Sequence, residues 1–348
     1  MRPPTSVRPV VMTPLPPDLS RIVDARRLST GEPDSAEARH AAAIGALERM
    51  RRGIYREPLP ALGTLTDPGE RRAEQHRRFL EEAAAVGMTR RGPIVFAGET
   101  AAGIHGFPIL GGPPSRVEIL EPLGSKRRNA PRMTIHADAF RDEDVQPWGE
   151  FFVTAPARTL ADLAKWASRA KSISALDFAF NGGRARPEQR STPPEVEAAL
   201  EASAAHHRRA AAQAALAFAS PLAGSVGESV SRVIVDAFGF PAPRLQVRHP
   251  APPGLGKWFF TDFEWPEFHL VGEFDGRVKY LDPAMLGARD AAQVVIAEKR
   301  REDALRSQGF RVVRWTWEHL VEPLLLRDLL VASGLPARRA RRALARLW

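Results

Sequence analysis

FHLVGEFDGRVKY, residues 268–280, carries an apolar run into two carboxylates two positions apart, then a glycine and basic residues. Strand alternation puts Phe268, Leu270 and Phe274 on one face and Val271, Glu273 and Asp275 on the other. Burying an unpaired carboxylate costs several kcal/mol, so two on one face call for a cation, a hydrogen-bond network or solvent. The preceding aromatic run, KWFFTDFEW at 257–265, is interrupted by Asp262. Antiparallel pairing of the two runs brings Asp262 beside Glu273, so that three carboxyl groups converge.

An all-oxygen cluster of this kind suits a hard divalent ion, Mg²⁺ or Mn²⁺, which activates water and neutralises phosphate charge in phosphodiester hydrolysis. Lys279 or Arg277 close by would complete transition-state stabilisation. The plainer alternative is an exposed strand end, with Gly276 turning the chain and Asp275 serving the turn. Two separate carboxylate intrusions into apolar strands favour the shared site.

Working outward, SVGESVSRVIVDAFG (225–239) reads as a helix with Ser225 as N-cap and Gly239 past its end. RLQVRHP (244–250) is a further strand, a helix from about Asp290 to Gln308 ends at Gly309, FRVVRWTW (310–317) forms a fourth strand, and HLVEPLLLRDLLVAS (319–333) a final helix. The order α-β-β-β-α-β predicts an α/β domain over 221–335, a mixed sheet flanked by helices. On the crossover helix Glu298 and Arg301 share a stripe with Val294 and Leu305. They form an internal salt bridge, or Arg301 points toward the acidic cluster and the scissile phosphate.

Residues 1–20 are proline-rich and read as a disordered lead-in. An alanine-rich helix, SAEARHAAAIGALERM (35–50), followed by the basic turn and strand RRGIYRE (51–57), gives a winged-helix-like segment over 21–60. Residues 61–220 read as an α+β middle domain. Its helical stretch DPGERRAEQHRRFLEEAAAVG (67–87) precedes strands in PIVFAG, SRVEILEP, PRMTIHAD and GEFFVTAP. A helix then starts at Thr154 or Ala155 with Pro156 just inside, and an alanine-rich helix over 199–220 ends at Pro221. Residues 336–348 form an Arg-rich C-terminal helix.

Taken in order, the C-terminal motifs resemble the PD-(D/E)XK nuclease superfamily with its restriction-endonuclease-like fold. EFDGRVKY (273–280) with EKRREDALRSQGFRVVRWTWEHL (298–320) resembles the branch related to the Vsr mismatch endonuclease, and the likeness covers about 221–320. It implies Asp262 and Glu273 as central metal ligands, with Asp275 where the superfamily usually has its lysine. Lys279 or a crossover-helix residue such as Arg301 would supply the missing positive charge, and Glu228 would be a helix-borne ligand. Glu228 has a structural explanation as well, because SVGE is a capping box and Arg232 stands at i+4. Upstream, RRGIYRE, GETAAGIHGFPIL (98–110) and VTAPARTLADLA (153–164) resemble the AbiEi antitoxins of type IV toxin–antitoxin systems. That likeness implies a winged helix joined to a middle domain, DNA as partner and a nucleotidyltransferase-like toxin encoded alongside. The expected function is a DNA-acting, Mg²⁺-dependent endonuclease; the alternative is a non-catalytic antitoxin or transcriptional regulator that uses the nuclease fold as a scaffold.

Charge agrees with a polyanionic partner: 50 Lys and Arg against 41 Asp and Glu leave +9, with basic runs at 125–132, 206–209 and 337–348. Absence of Cys excludes disulfides and thiolate metal sites and fits a reducing cytoplasm. No stretch nears the roughly 18 apolar residues of a membrane span. GLGKW (254–258) lacks the spacing of a phosphate loop. His105 reads as a packed histidine, and of Trp315 and Trp317 one is core while either could stack on bases.

Overall fold

The computed structural model describes residues 21–25, 36–90, 92–125, 129–130, 132–204, 208–254, 256–276 and 291–337, with backbone alone over 291–295. Arg277, Lys279, the lead-in 1–20 and the arginines from 338 onward lie outside the described residues. Two compact units are present: Met1–Ala167 with Ser191–Gln213, and Ser168–Arg190 with Ala214–Trp348.

The first unit opens with β1 (Ile22–Asp24), α1 (Ala36–Ala43), β2 (Glu48–Arg51) and β3 (Ile54–Arg56), an antiparallel sheet ordered β1-β3-β2. The helical pattern predicted through Met50 stops at Ala43. Gly45 takes φ 77°, and Glu48 and Arg49 pair with β3 across a turn at Gly53, φ 75°. Helix α2 (Pro68–Met88) is capped by Asp67, which accepts from the Glu70 N–H at 2.7 Å. There follow β4 (Val95–Phe96), α3 (Gly98–His105), β5 (Val117–Pro122), β6 (Met133–Asp138), β7 (Val145–Trp148), β8 (Phe151–Thr154) and α4 (Pro156–Trp166). The five strands make a mixed sheet ordered β6-β5-β4-β8-β7, with Phe79, Phe96, Ile119 and Val153 in its core. Ala155 holds the N-cap position of α4 without a side-chain cap, and Pro156 begins the helix.

Helix α5 (Arg169–Phe180) belongs to the second unit, α6 (Pro193–Ala202) to the first, and α7 (Arg209–Phe218) follows. The continuous helix expected over 199–220 is therefore broken: Ser203 is extended at ψ 137°. The break places the Ser203 hydroxyl 2.6 Å from Asp138 and 2.9 Å from Lys165, inside a buried ionic network. Arg158 bonds Asp162 at 2.9 Å and Asp138 at 3.0 Å, and Lys165 reaches Asp138 at 2.6 Å. Arg158 and Lys165 thus pin α4 to β6 through Asp138, while Asp162 braces the two cations along α4. Burial pushes Asp162 above the usual carboxylate range, whereas for Asp138 the same penalty is outweighed by Lys165, Ser203 and Arg158, which hold it low.

In the second unit α8 (Val226–Ala237), β9 (Arg244–Pro250), β10 (Trp258–Trp265), β11 (Leu270–Phe274), α9 (Ala291–Ser307), β12 (Arg311–Trp315), α10 (Trp317–Val321) and α11 (Pro323–Ala332) follow in turn. The sheet runs β12-β11-β10-β9, antiparallel except where β11 and β12, joined through α9, lie parallel. This is the mixed sheet flanked by helices that the element order predicts. Three details differ. Phe268 sits in a 3-10 turn, Pro266–Phe268, and the strand begins only after His269 at φ 44°. The final helix breaks at Pro323 into two. Residues 168–190, read above as middle domain, join this unit through Asp177–Arg232 at 2.7 Å and Arg169–Asp236 at 2.6 Å. Gly272 is required by packing: a Cβ there would stand 2.5 Å from the buried Trp315 ring.

Candidate functional site: an acidic cleft at the end of the second sheet

Strand β10 pairs with β11 so that Phe263 faces Gly272, which carries Asp262 to the end of β11. There its Oδ2 accepts from the Phe274 backbone N–H at 2.9 Å and its Oδ1 from the Gln246 side-chain amide at 3.2 Å. Gln246 is itself exceptional. At φ 48° it interrupts the β9–β10 ladder between the Val247–Thr261 and Leu245–Phe263 pairs, and its amide also donates to Glu228 Oε2 at 3.0 Å.

Glu228 lies in the first turn of α8, where Ser225 caps its N–H at 3.1 Å. Its own carboxylate accepts from Gly224 N at 2.7 Å, one residue before the cap, while Arg232 pairs with Asp177 rather than with Glu228. A Cβ at Gly227 would collide with the Phe274 ring, so only glycine lets this helix start come so close to the end of β11. The Glu228 carboxylate therefore braces the residue before the cap instead of closing the box expected of SVGE and, through the shared Gln246 amide, adjoins Asp262.

The electrostatic result falls on Asp262. Burial, then repulsion from Glu228 and Glu273, pushes its carboxyl up to about 7 against the two hydrogen bonds that favour the anion. Glu273 is treated differently. Arg314 stands opposite it in the parallel β11–β12 register and donates from Nε to Oε2 at 2.9 Å, while its other end reaches Glu298 and Glu302 of α9, each at 3.4 Å. Burial works against the Arg314 charge, yet these three acids hold its pKa above the ordinary value.

Asp262, Glu273, Asp275, Arg301 and Arg314 line one cavity of about 200 Å³, with Phe260 at its wall. Four of the residues singled out from sequence are thus brought together: Asp262, Glu273, Asp275 and Arg301. Lys279 falls outside the described residues. Sequence reading missed Arg314 and Gln246. Arg314 leaves a signal, an arginine flanked by Val312, Val313 and Trp315 inside a strand; Gln246 leaves none beyond a polar residue in a half-buried strand.

Among the described residues no three His, Cys, Asp or Glu groups are arranged to hold a metal ion. Mg²⁺ needs less, since it is commonly held by one or two carboxylates and keeps several waters. Asp262 and Glu273 offer the oxygen donors a hard ion takes, and the repulsion that raises Asp262 is what a dication relieves.

Elsewhere, His105 donates from Nε2 to the Thr154 carbonyl at 2.7 Å, with burial lowering its pKa, as expected of a packed histidine. Trp315 is fully buried and donates to Ser231 at 2.8 Å; Trp317 meets Phe274 edge-on. In the basic β2–β3 hairpin Arg51 pairs with Glu82 at 3.1 Å, and Arg56 with Glu48 at 3.0 Å and Glu81 at 3.3 Å. Among the described residues no helix is long and apolar enough to cross a membrane.

No protein-family model matches the chain. Over 241 residues it is 26% identical to an uncharacterized protein of Mycobacterium tuberculosis, Rv2248 of strain H37Rv and MT2308 of strain CDC 1551, covering 69% of this chain and 81% of the relative. The crystal structure of the Rv2827c protein from M. tuberculosis is similar at a TM-score of 0.32 and 17% identity, covering 60% of this chain and 83% of that one.

Proposed function

We propose that the second unit is a metal-dependent nuclease of the PD-(D/E)XK type, with Asp262 and Glu273 as the Mg²⁺ or Mn²⁺ ligands, Asp275 beside them and Glu228 supporting from the helix. The observation that carries this is the convergence of Asp262, Glu273 and Asp275 in one cleft at the end of a mixed sheet, with burial and the neighbouring acids raising the Asp262 carboxyl. The chain order of helix, three strands, crossover helix and strand supports it, as does an acidic cleft that also holds two guanidinium groups. When bound, the ion would acidify a water and offset charge on the scissile phosphate. Arg301, and Arg314 held by Glu298 and Glu302, orient the phosphodiester and stabilise the charge that builds on it, standing in for the lysine displaced by Asp275. Upstream, the winged-helix-like and AbiEi-like segments bring the chain to DNA, a role that fits the net charge of +9.

A second reading is favoured by one contact, the Arg314 guanidinium on Glu273, which already neutralises a ligand. Under it the chain is an AbiEi-like antitoxin or regulator that binds operator DNA without cutting, with a nucleotidyltransferase-like toxin as partner. Incubating the full chain with supercoiled plasmid and, separately, with single-stranded circular DNA, each with Mg²⁺ or Mn²⁺, separates the two. Nicking that Glu273→Ala abolishes while DNA binding persists supports the nuclease; steeply salt-dependent binding with no cut under either metal supports the regulator.

A further inference from the structure

We propose that the exposed face of the β9–β10 hairpin, built from Trp258, Phe260 and Arg248, is a stacking platform for single-stranded DNA leading into the acidic cleft. The proposal rests on the nucleic-acid reading of that cleft and names the form of its substrate. Along β10 the alternation is sharp: Phe259 and Thr261 are buried at 6% and 0% exposure, whereas Trp258 and Phe260 stand out at 40% and 56%. Two large aromatic side chains on the solvent face of one strand are an expense that folding does not require.

Their surroundings are basic. Arg248, paired across the ladder with Phe260, lays its guanidinium over the Trp258 ring at 4.4 Å, and Lys257 approaches the same ring at 5.8 Å. Aromatic rings interleaved with cations along a backbone track are what an unpaired polynucleotide binds, the rings taking bases and the cations phosphates. The platform is continuous with the chemistry, because Phe260 also lines the cleft that holds Asp262, Glu273 and Arg301.

Spacing selects the single strand. Same-face neighbours on a strand lie about 7 Å apart. Bases stacked in a duplex follow one another at about 3.4 Å and present no open ring face at that interval. An unpaired strand can splay successive bases to reach both rings.

The test measures fluorescence anisotropy of a labelled mixed-sequence oligodeoxynucleotide and of its duplex, at one salt concentration with EDTA, so that cleavage plays no part. Trp258→Ala and Phe260→Ala should each weaken single-strand binding roughly tenfold, the worth of one stacked base, and leave duplex binding within twofold. Should either variant fold poorly by circular dichroism, Trp258→Leu and Phe260→Leu, which keep bulk without a ring face, should show the same selective loss. No single-strand binding by wild type, unchanged affinity in the variants, or equal losses for both DNA forms overturns the platform. A wild type that cuts nothing yet shows the selective loss leaves the platform standing and defeats the nuclease. Glu273-dependent cutting with no aromatic dependence does the reverse.

Discussion

Replacing Asp262 with asparagine should stabilise the second unit at pH 8 while leaving it no more stable than wild type near pH 4. The native carboxyl is pushed from an ordinary 3.8 up to about 7. Each pH unit of that gap is worth about 1.4 kcal/mol, so keeping Asp262 ionised in the fold costs about 4 kcal/mol. The sign follows from proton binding. Between those two values the folded chain holds a proton that the unfolded chain has released, so stability from this group is complete below pH 3.8 and is lost as pH rises through about 7. Asparagine removes the charge and keeps an acceptor for the Phe274 N–H, but its amide then faces the Gln246 amide, a mismatch of about 1–3 kcal/mol. The net gain at pH 8 is therefore about 1–3 kcal/mol, with none at pH 4. Urea unfolding of both proteins at the two pH values reads this directly. An equal difference at both, or a larger loss at pH 8, refutes the electrostatic account of the cleft.

Four further outcomes follow from the same contacts. Saturating Mg²⁺ should raise the melting temperature of wild type at pH 8 and leave Asp262→Asn unmoved, which thermal scans with and without the ion check. Gly272→Ala forces a methyl group to 2.5 Å from Trp315 and should cost about 1–3 kcal/mol in denaturant unfolding. Asp138→Asn strips a buried anion from Arg158 and Lys165 and should destabilise the first unit by about 3–5 kcal/mol. Because its folded pKa lies below 3.8, that contribution is in place above about pH 4 and is lost as pH falls through the lower folded value, so an acid unfolding series on wild type shows the loss. Arg314→Lys keeps a charge but loses the fork that spans β11 and α9; it should lower any cleavage rate about tenfold or more with DNA affinity little changed, measured in single-turnover assays.

Local signals wrote much of the C-terminal unit into its sequence. Ser225 and Gly239 bracket α8, Gly309 closes α9, and the aromatic run of β10 and the apolar run of β11 read as strands. Asp262 and Glu273 were legible because a carboxylate in such a run has to be accounted for. What escaped depends on pairings distant in sequence. Arg314 meets Glu273 only through a parallel register set by a crossover helix, and Gln246 reaches Asp262 only because its backbone leaves the β region. In the first unit the helical pattern before Met50 and over 199–220 yielded to tertiary demands: hairpin pairing of Glu48–Arg51, and a seat for Ser203 beside Asp138 and Lys165.

The central claim is that Asp262 and Glu273 share one divalent ion, and calorimetric titration of the full chain with Mn²⁺ tests it most directly. One site per chain is predicted, tighter at pH 8 than at pH 6 because the ion must displace the Asp262 proton, and lost in both Asp262→Asn and Glu273→Ala. A site that survives both substitutions, or no site at pH 8, contradicts it.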